Sequence, residues 1–466
     1  MVIIKTYTNL PLDVIRKLEN THPDDEDDRD TDSEGEIVYL PTLNSIPPTV
    51  TPIIKNTTTK TTTATTISLT NSVKKKSKFD LNKWITYETC VFYLDEHISR
   101  SKIAAFDMDH TMIKTRSGKV HPQGTEDWMW WDKVVPGKLV QLHKQGYHVV
   151  IFTNQGGIKS GPYMSQEKYK SITSKIRNIA ATLTIPLNAF IATSDNSMKK
   201  PNRSMWDLMI NHCSQGDHCQ PVDLTQCYFI GDAAGRPAGW KPGVAADFSS
   251  SDSSFAQTIG IDFHTPEVFF LGEKPYDANL SSLIPKAETT GDILVGGGSL
   301  TSSSFEMVIF VGYPASGKST LAKRYFGPKG YAIINGDTLG ALPAQKKHAT
   351  NALANKQSVV IDNTNPSPAT RQQWIELARL HGANVRCFKF QTPKDLAMHL
   401  NYFRERTLGV KHIPEMVYHI FNSNLVEPTL SEGFKEIRYV NFILQLDKGM
   451  EKQYNIPNPK AKHSKK

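Results

Sequence analysis

Two carboxylates two residues apart, Asp107 and Asp109, stand where the apolar run IAAFD gives way to the loop MDHT. Ligands of parallel α/β sheets bind at that carboxyl edge, so the pair is placed to meet one. Three further strand ends carry matching chemistry: Thr153-Asn154 after VVIF, Lys200 before Pro201, and Gly231-Asp232 after YFI. Capping of a loop is the ordinary reading of Asp-x-Asp-x-Thr alone, but it leaves Lys200 and Asp232 unexplained. A second constellation, Gly312-Tyr-Pro-Ala-Ser316-Gly317-Lys318-Ser319-Thr320, lies between the apolar MVIFV and the helical TLAKRYF. Its glycines let backbone N–H groups curl around the phosphates of a nucleotide such as ATP, with Lys318 reaching the β- and γ-phosphates and Ser319 binding Mg²⁺. Asp337, after the next strand, is placed either to take a proton from an acceptor hydroxyl or to cap a helix. At Asp362, closing SVVID, a metal contact through water or an acceptor clamp is expected. Arg371 lies on the following helix. Arg404 and Arg406 fall in a helix from Pro393, where a phosphoryl-transfer lid would need positive charge, although arginines on helix surfaces are most often solvated.

Holding these groups in place requires strands alternating with helices. From Trp84 onward apolar runs end at Asp107, Thr153, Thr193 and Gly231 with amphipathic stretches between, which implies a parallel sheet covered by helices. Residues 275–304 break the pattern with Pro, Ser and a Gly-Gly-Gly-Ser run and read as a linker. EMVIFVG, YAIIN, SVVIDNT and VRCFKF then resume the alternation. The expected fold is two parallel-sheet α/β domains, 83–274 and 305–446, after a disordered region 1–82 and before a basic tail 447–466. At 466 residues the chain exceeds one core, since single cores stop growing near roughly 250–300 residues.

The four strand-end motifs of the first domain together resemble those of the haloacid dehalogenase superfamily. That resemblance implies that Asp107 attacks phosphorus to form an aspartyl-phosphate, while Asp109 protonates the leaving alkoxide and then activates water. It implies Mg²⁺ on Asp107, Asp232 and the Asp109 carbonyl, and phosphoryl oxygens on Thr153 and Lys200. Across residues 84–445, the strings FDMDHTMIKTRSGKV, VIFTNQGGI, IGDAAGRPAGW, GYPASGKST, GDTLG and VIDNTNPSPATRQQW resemble the bifunctional polynucleotide kinase 3′-phosphatase family. The implied work is removal of 3′-phosphates and addition of 5′-phosphates from ATP at DNA nicks, gaps and breaks. On that resemblance Asp337 activates the 5′-hydroxyl, Arg404 is the lid arginine, and Arg371 and Asp362 contact the acceptor or transferred phosphoryl group. Arg116, Asn154 and Arg236 would contact a single-stranded 3′ end. A nuclear monomer working with scaffold or ligase proteins is implied as well.

Three departures from the family pattern are visible. His110 stands where Gly is frequent, and Gly336 where kinases of the family often carry Arg. Animal members begin with a forkhead-associated domain, which the low-complexity N-terminal text does not resemble. Gly336 keeps open a DNA 3′-phosphatase whose kinase is weak or lost, and a third reading is a nucleotide-gated protein that binds DNA ends.

Composition agrees with these readings without selecting among them. Lys and Arg number 54 against 46 Asp and Glu, a net +8 that leans toward an anionic partner. Five cysteines and no apolar stretch after Met1 point to a reducing compartment. No run approaches the roughly 18–20 apolar residues of a membrane span. The acidic run 24–36 and the Thr-rich text after it bury too little apolar surface to fold. Lys74-Lys75-Lys76-Ser77-Lys78 reads as a nuclear import signal or a phosphate-backbone grip, and equally as a solvated linker. Trp128, Trp130 and Trp131 read as packing ahead of base stacking.

Overall fold

Alternation of side chains along each strand builds the first sheet from both faces. In Lys102–Phe106, Ile103 and Ala105 join a cluster with Phe152, Phe190, Trp206 and Phe255, while Ala104 and Phe106 join another with Leu139, Ile151, Ile176 and Ile230. Covering both faces is what makes the strands read as near-continuous apolar runs. The computed structural model describes residues 38–39, 82–213, 219–461 and 463, in two compact units that meet in sequence at Asp277 and Ala278.

In the first unit five parallel strands run in the order Asn188–Ala192, Tyr147–Asn154, Lys102–Phe106, Tyr228–Ile230, Asp262–His264. An antiparallel hairpin, Trp84–Tyr87 with Cys90–Tyr93, extends the sheet beyond Asn188–Ala192, so this sheet is mixed. A two-residue strand, Val38–Tyr39, pairs with the hairpin inside the stretch expected to be disordered. The rest of that stretch, including the lysine run, lies outside the described residues, Asn82 excepted. The chain leaves Lys102–Phe106 toward one side of the sheet and later returns to the other, which opens a crevice at the carboxyl end of that strand.

The second unit repeats the arrangement with five parallel strands in the order Ala332–Ile334, Val359–Ile361, Glu306–Val311, Asn384–Phe390, Glu436–Val440. Met307, Ile309 and Val311 meet Trp374, Ile375 and Leu353 on one face, and Val308 and Phe310 meet Phe326 and Leu321 on the other. Ser367 starts the helix Pro368–Leu380 with a capping box, its hydroxyl accepting from the Thr370 N–H.

The stretch read as a linker is in large part folded. Leu294 is 2 % exposed in the cluster of Val308, Phe388 and Val440, its backbone bridges Val440, and Glu288 bridges Ile443. Pro and Gly set the path of this segment without preventing its apolar side chains from being buried. Replacing Leu294 by Ala is expected to lower the stability of the second unit by about 2–5 kcal/mol. Calorimetry should show the transition of that unit moving down and the other unchanged.

Candidate active sites

The crevice of the first unit is organised by Lys200. Its ammonium lies 2.6 Å from Asp107 Oδ1 and 2.8 Å from Asp252 Oδ1, with the lysine side chain 1 % exposed. Asp107 leaves the strand Lys102–Phe106 with its N–H donating to the Ile230 carbonyl, which fixes where its carboxyl begins. Asn154, expected on the substrate, instead grips the Lys200 backbone: Oδ1 accepts from its N–H at 2.9 Å and Nδ2 donates to its carbonyl at 3.2 Å. An amide with both ends engaged positions the lysine.

Burial pushes the Asp107 carboxyl up to about 7, and the neighbouring Asp252 and Asp109 carboxylates add to the rise while Lys200 opposes it. Asp232 is driven well above the carboxylate range by burial and by Asp252 and Asp107. Burial works against the charge of Lys200, but the two carboxylates outweigh it and lift its pKa above the ordinary lysine value. Carboxylate oxygens of Asp107, Asp232 and Asp252 all lie within 4.8 Å of one another. Three hard anionic oxygens against one ammonium form a donor set that suits Mg²⁺.

Two members of this site escaped the sequence. Asp252, at the start of the helix Ser251–Ile259, pairs with Lys200 and accepts from the Ala233 N–H at 3.0 Å. Gln155 donates to Asp109 Oδ2 at 2.8 Å and to Thr153 Oγ1 at 3.0 Å, tying the second carboxyl to the expected phosphoryl-binding threonine. His110 adopts φ +57°, the left-handed region that favours glycine, and its side chain is exposed. Glycine adopts that conformation without strain, and the exposed side chain of His110 leaves the loop uncrowded.

Arg236 is not free to hold DNA. Its guanidinium is 4 % exposed, bonded to Asp247 at 2.9 Å and Glu267 at 3.2 Å, donates to the Asp232 carbonyl, and stacks on Trp240 at 3.7 Å. It braces the loop after Asp232. Arg116 is exposed, with two donors on the Trp128 carbonyl at 3.2 and 3.3 Å. Trp128 is buried and meets Trp130 edge-on, so these rings pack.

In the second unit the loop Gly312–Ser319 leaves the central strand Glu306–Val311. A Cβ on Gly312 would stand 2.8 Å from the Phe390 Cβ, and Gly317 turns at φ +96°. Lys318 donates to the carbonyls of Gly312 and Tyr313, and burial brings its amine down to about 8, Asp362 opposing and Arg404 assisting. Ser316 is buried beneath the loop and Thr320 is exposed beyond it.

Asn335, which the sequence did not single out, stands at the same carboxyl edge: Nδ2 donates to Asp362 Oδ2 at 2.6 Å and Oδ1 accepts from the Asp337 N–H at 2.8 Å. Asn335 is therefore the helix cap, and the carboxylate of Asp337 is exposed at the first turn. Burial raises the pKa of Asp362 against Lys318, Ser319 and Asn335, and its Oδ1 is buried without a hydrogen-bond partner among the described residues. A buried carboxylate oxygen beside Ser319 fits a metal-bound nucleotide.

Arg371, expected at the acceptor, is enclosed. It is fully buried, forms a two-pronged pair with Glu432 at 2.8 and 2.7 Å, and donates to the carbonyls of Asn365, Pro366 and Val426. Complete burial, rather than a shortage of donors, is what closes this guanidinium to a ligand. Arg404 acts electrostatically on Lys318, whereas Arg406 faces the C-terminal segment, bonding the carbonyls of Gln453 and Ile456.

Two α/β units, each with five neighbouring parallel strands and with a buried lysine and an acidic group at the carboxyl edge, define a chain built from a phosphatase domain and a phosphate-loop kinase domain. Residues 102–270 match the family described as polynucleotide kinase 3 phosphatase, and residues 307–424 one described as an AAA domain. The chain is 37 % identical over 347 residues to the bifunctional polynucleotide phosphatase/kinase of Schizosaccharomyces pombe, covering 73 % of this chain and 80 % of that one. It is 31 % identical over 392 residues to a putative bifunctional polynucleotide phosphatase/kinase of Acanthamoeba polyphaga mimivirus, covering 78 % and 88 %. To the polynucleotide 3′-phosphatase ZDP of Arabidopsis thaliana it is 34 % identical over 203 residues, covering 41 % and 27 %. The chain belongs to the bifunctional polynucleotide phosphatase/kinase family.

A Cβ added at Gly231 would meet Asp252 Oδ2 at 2.3 Å and its Cγ at 2.5 Å. Replacing Gly231 by Ala is expected to displace Asp252 from Lys200 and cost about 1–3 kcal/mol, as overpacking does. Phosphate release from a 3′-phosphorylated oligonucleotide should fall while 5′ labelling by ATP persists.

Proposed function

We propose that this chain repairs DNA ends, hydrolysing 3′-phosphates in its first domain and phosphorylating 5′-hydroxyls with ATP in its second. The observation that carries the reading is Lys200 held between Asp107 and Asp252 at 2.6 and 2.8 Å. With Lys200 on Oδ1, the other oxygen of Asp107 is left to attack phosphorus. Its new bond forms as the bond to the 3′-oxygen breaks, and Asp109 hands a proton to the departing alkoxide. Asp109 then takes a proton from water, which attacks the acyl-phosphate and frees inorganic phosphate. Gln155 keeps Asp109 in place for both transfers, and Thr153 and Lys200 bind the phosphoryl oxygens.

In the second domain Asp337 accepts the proton of the 5′-hydroxyl, whose oxygen attacks the γ-phosphorus as ADP departs. Lys318 gives up its loop carbonyls for the β- and γ-phosphates, and Arg404 supplies charge from the lid. Arg371 and Arg236 brace their loops, which leaves Arg116 as the arginine for a DNA 3′ end. Mg²⁺ would be held by Asp107, Asp232 and the Asp109 carbonyl in one site and by Ser319 and Asp362 in the other, where it would neutralise phosphate charge. Gly336 leaves the kinase without an arginine beside its base, yet Asn335, Asp337, Asp362 and Lys318 stand assembled, which favours two activities over one. We assign the work to the nucleus, by a monomer that hands repaired ends to ligase or scaffold proteins.

The test is a nicked duplex carrying a 3′-phosphate and a 5′-hydroxyl, incubated with Mg²⁺ and labelled ATP while both ends are followed. Turnover at both ends is expected. Asp107→Ala should lower 3′ release by about 100-fold or more and leave 5′ labelling intact, and Lys318→Ala should do the reverse. Loss of both activities in either variant would contradict separate sites.

A further inference from the structure

The lid helix Lys394–Leu408 carries Arg404 and Arg406 two positions apart, about 200° around the helix at 100° per residue. Arg404 lies near enough to Lys318 and Tyr418 to act on both. Arg406 turns to the C-terminal segment, where one guanidinium nitrogen donates to the carbonyls of Gln453 at 3.0 Å and Ile456 at 3.1 Å. On the same side His399 Nε2 lies 2.9 Å from the Tyr454 carbonyl, and the two rings meet edge-on at 4.8 Å.

Composition marked residues 447–466 as a basic tail, yet Tyr454, Ile456 and Asn458 are 6 %, 1 % and 7 % exposed. Tyr454 closes an apolar cluster with Leu396 and Leu400 of the lid, and Phe403 of the lid, Phe442, and Ala315 of the phosphate-binding loop pack against that cluster. Lys460 adds an ion pair to Glu415 at 3.2 Å, on the helix whose Phe421 packs against Tyr313 of the same loop. Burial holds the Arg406 guanidinium down to about 10, and its Nε and Nη1 have no hydrogen-bond partner among the described residues. Such a cation is costly to bury, and the carbonyls of the segment are the hydrogen-bond acceptors that meet it.

We propose that residues 451–461 form a strap that positions the kinase lid, gripping one face of the helix through Arg406 and Tyr454 so that Arg404 keeps its electrostatic reach to the phosphate-binding loop. The inference rests on the reading of Arg404 as the lid arginine. Arg406 and Tyr454 act through Arg404 and touch no reacting group. Holding a charge in place matters because a displacement of about 1 Å can cost on the order of 100-fold in rate.

The test uses the full chain and measures kcat and the KM for ATP of the 5′-kinase together with 3′-phosphate release in the same preparation. Tyr454→Ala and Arg406→Ala are each expected to lower kinase kcat by about tenfold or more, with the ATP KM changed less than about threefold and 3′ release unchanged. Tyr454→Phe should keep the original kcat, because the Tyr454 hydroxyl is buried without a partner among the described residues. Unchanged kinase kcat in both alanine variants would overturn the strap, as would a KM rising in step with the fall in kcat, which marks a disordered donor site. Arg404→Ala separates the two readings. If it lowers kcat while the strap variants do not, only the strap fails; if it is silent, the lid assignment fails and takes the strap with it.

Discussion

A lysine ammonium removed from water must find opposite charge, and that requirement governs the first site. Lys200 satisfies it with two carboxylates, Asp107 and Asp252, delivered by different parts of the chain. Three neighbours serve its placement: Asn154 fixes the Lys200 backbone, the absent side chain of Gly231 leaves room for Asp252, and Arg236 braces the loop between them. The second site meets the same difficulty differently. Lys318 rests on carbonyls of its own loop and loses basicity through burial, so a nucleotide polyphosphate is the stronger partner for it.

Both sites occupy the same position in a parallel sheet, outside the end of a central strand where the chain departs to opposite sides. The strand ends supply one or two residues each, so the chemistry is spread across loops while its geometry is set by hydrogen-bonded strands. Side-chain amides then do most of the local positioning. Gln155 links Asp109 to Thr153, and Asn335 links Asp362 to the turn that carries Asp337.

Much of the fold was legible in the sequence because the strands are short apolar runs. Asp107 and Asp362 directly follow strands, Asp232 and Asp337 stand close behind one, and Lys200 and Lys318 lie further along the loops that leave them. What could not be read was which partner a charged group finds. Arg371 looks like a ligand-binding arginine until Glu432, 61 residues away, is brought against it. Asp252 looks like a residue in a serine run until folding brings it to Lys200. The segment around Leu294 and the strap around Tyr454 carry linker and tail compositions, but each places a few apolar side chains into a core, a property of packing that composition averages away. His110 shows the converse, where a backbone angle that favours glycine is occupied by a residue whose side chain leaves toward solvent.

The chemistry proposed for the first site requires a carboxylate oxygen of Asp107 to attack phosphorus. Acid quenching of a single turnover with an oligonucleotide carrying a labelled 3′-phosphate, followed by peptide mapping, tests this directly. Label in the peptide that contains Asp107, released by hydroxylamine as an acyl-phosphate must be, is the predicted result. Full turnover with no label on the protein, or label on another residue, would contradict it.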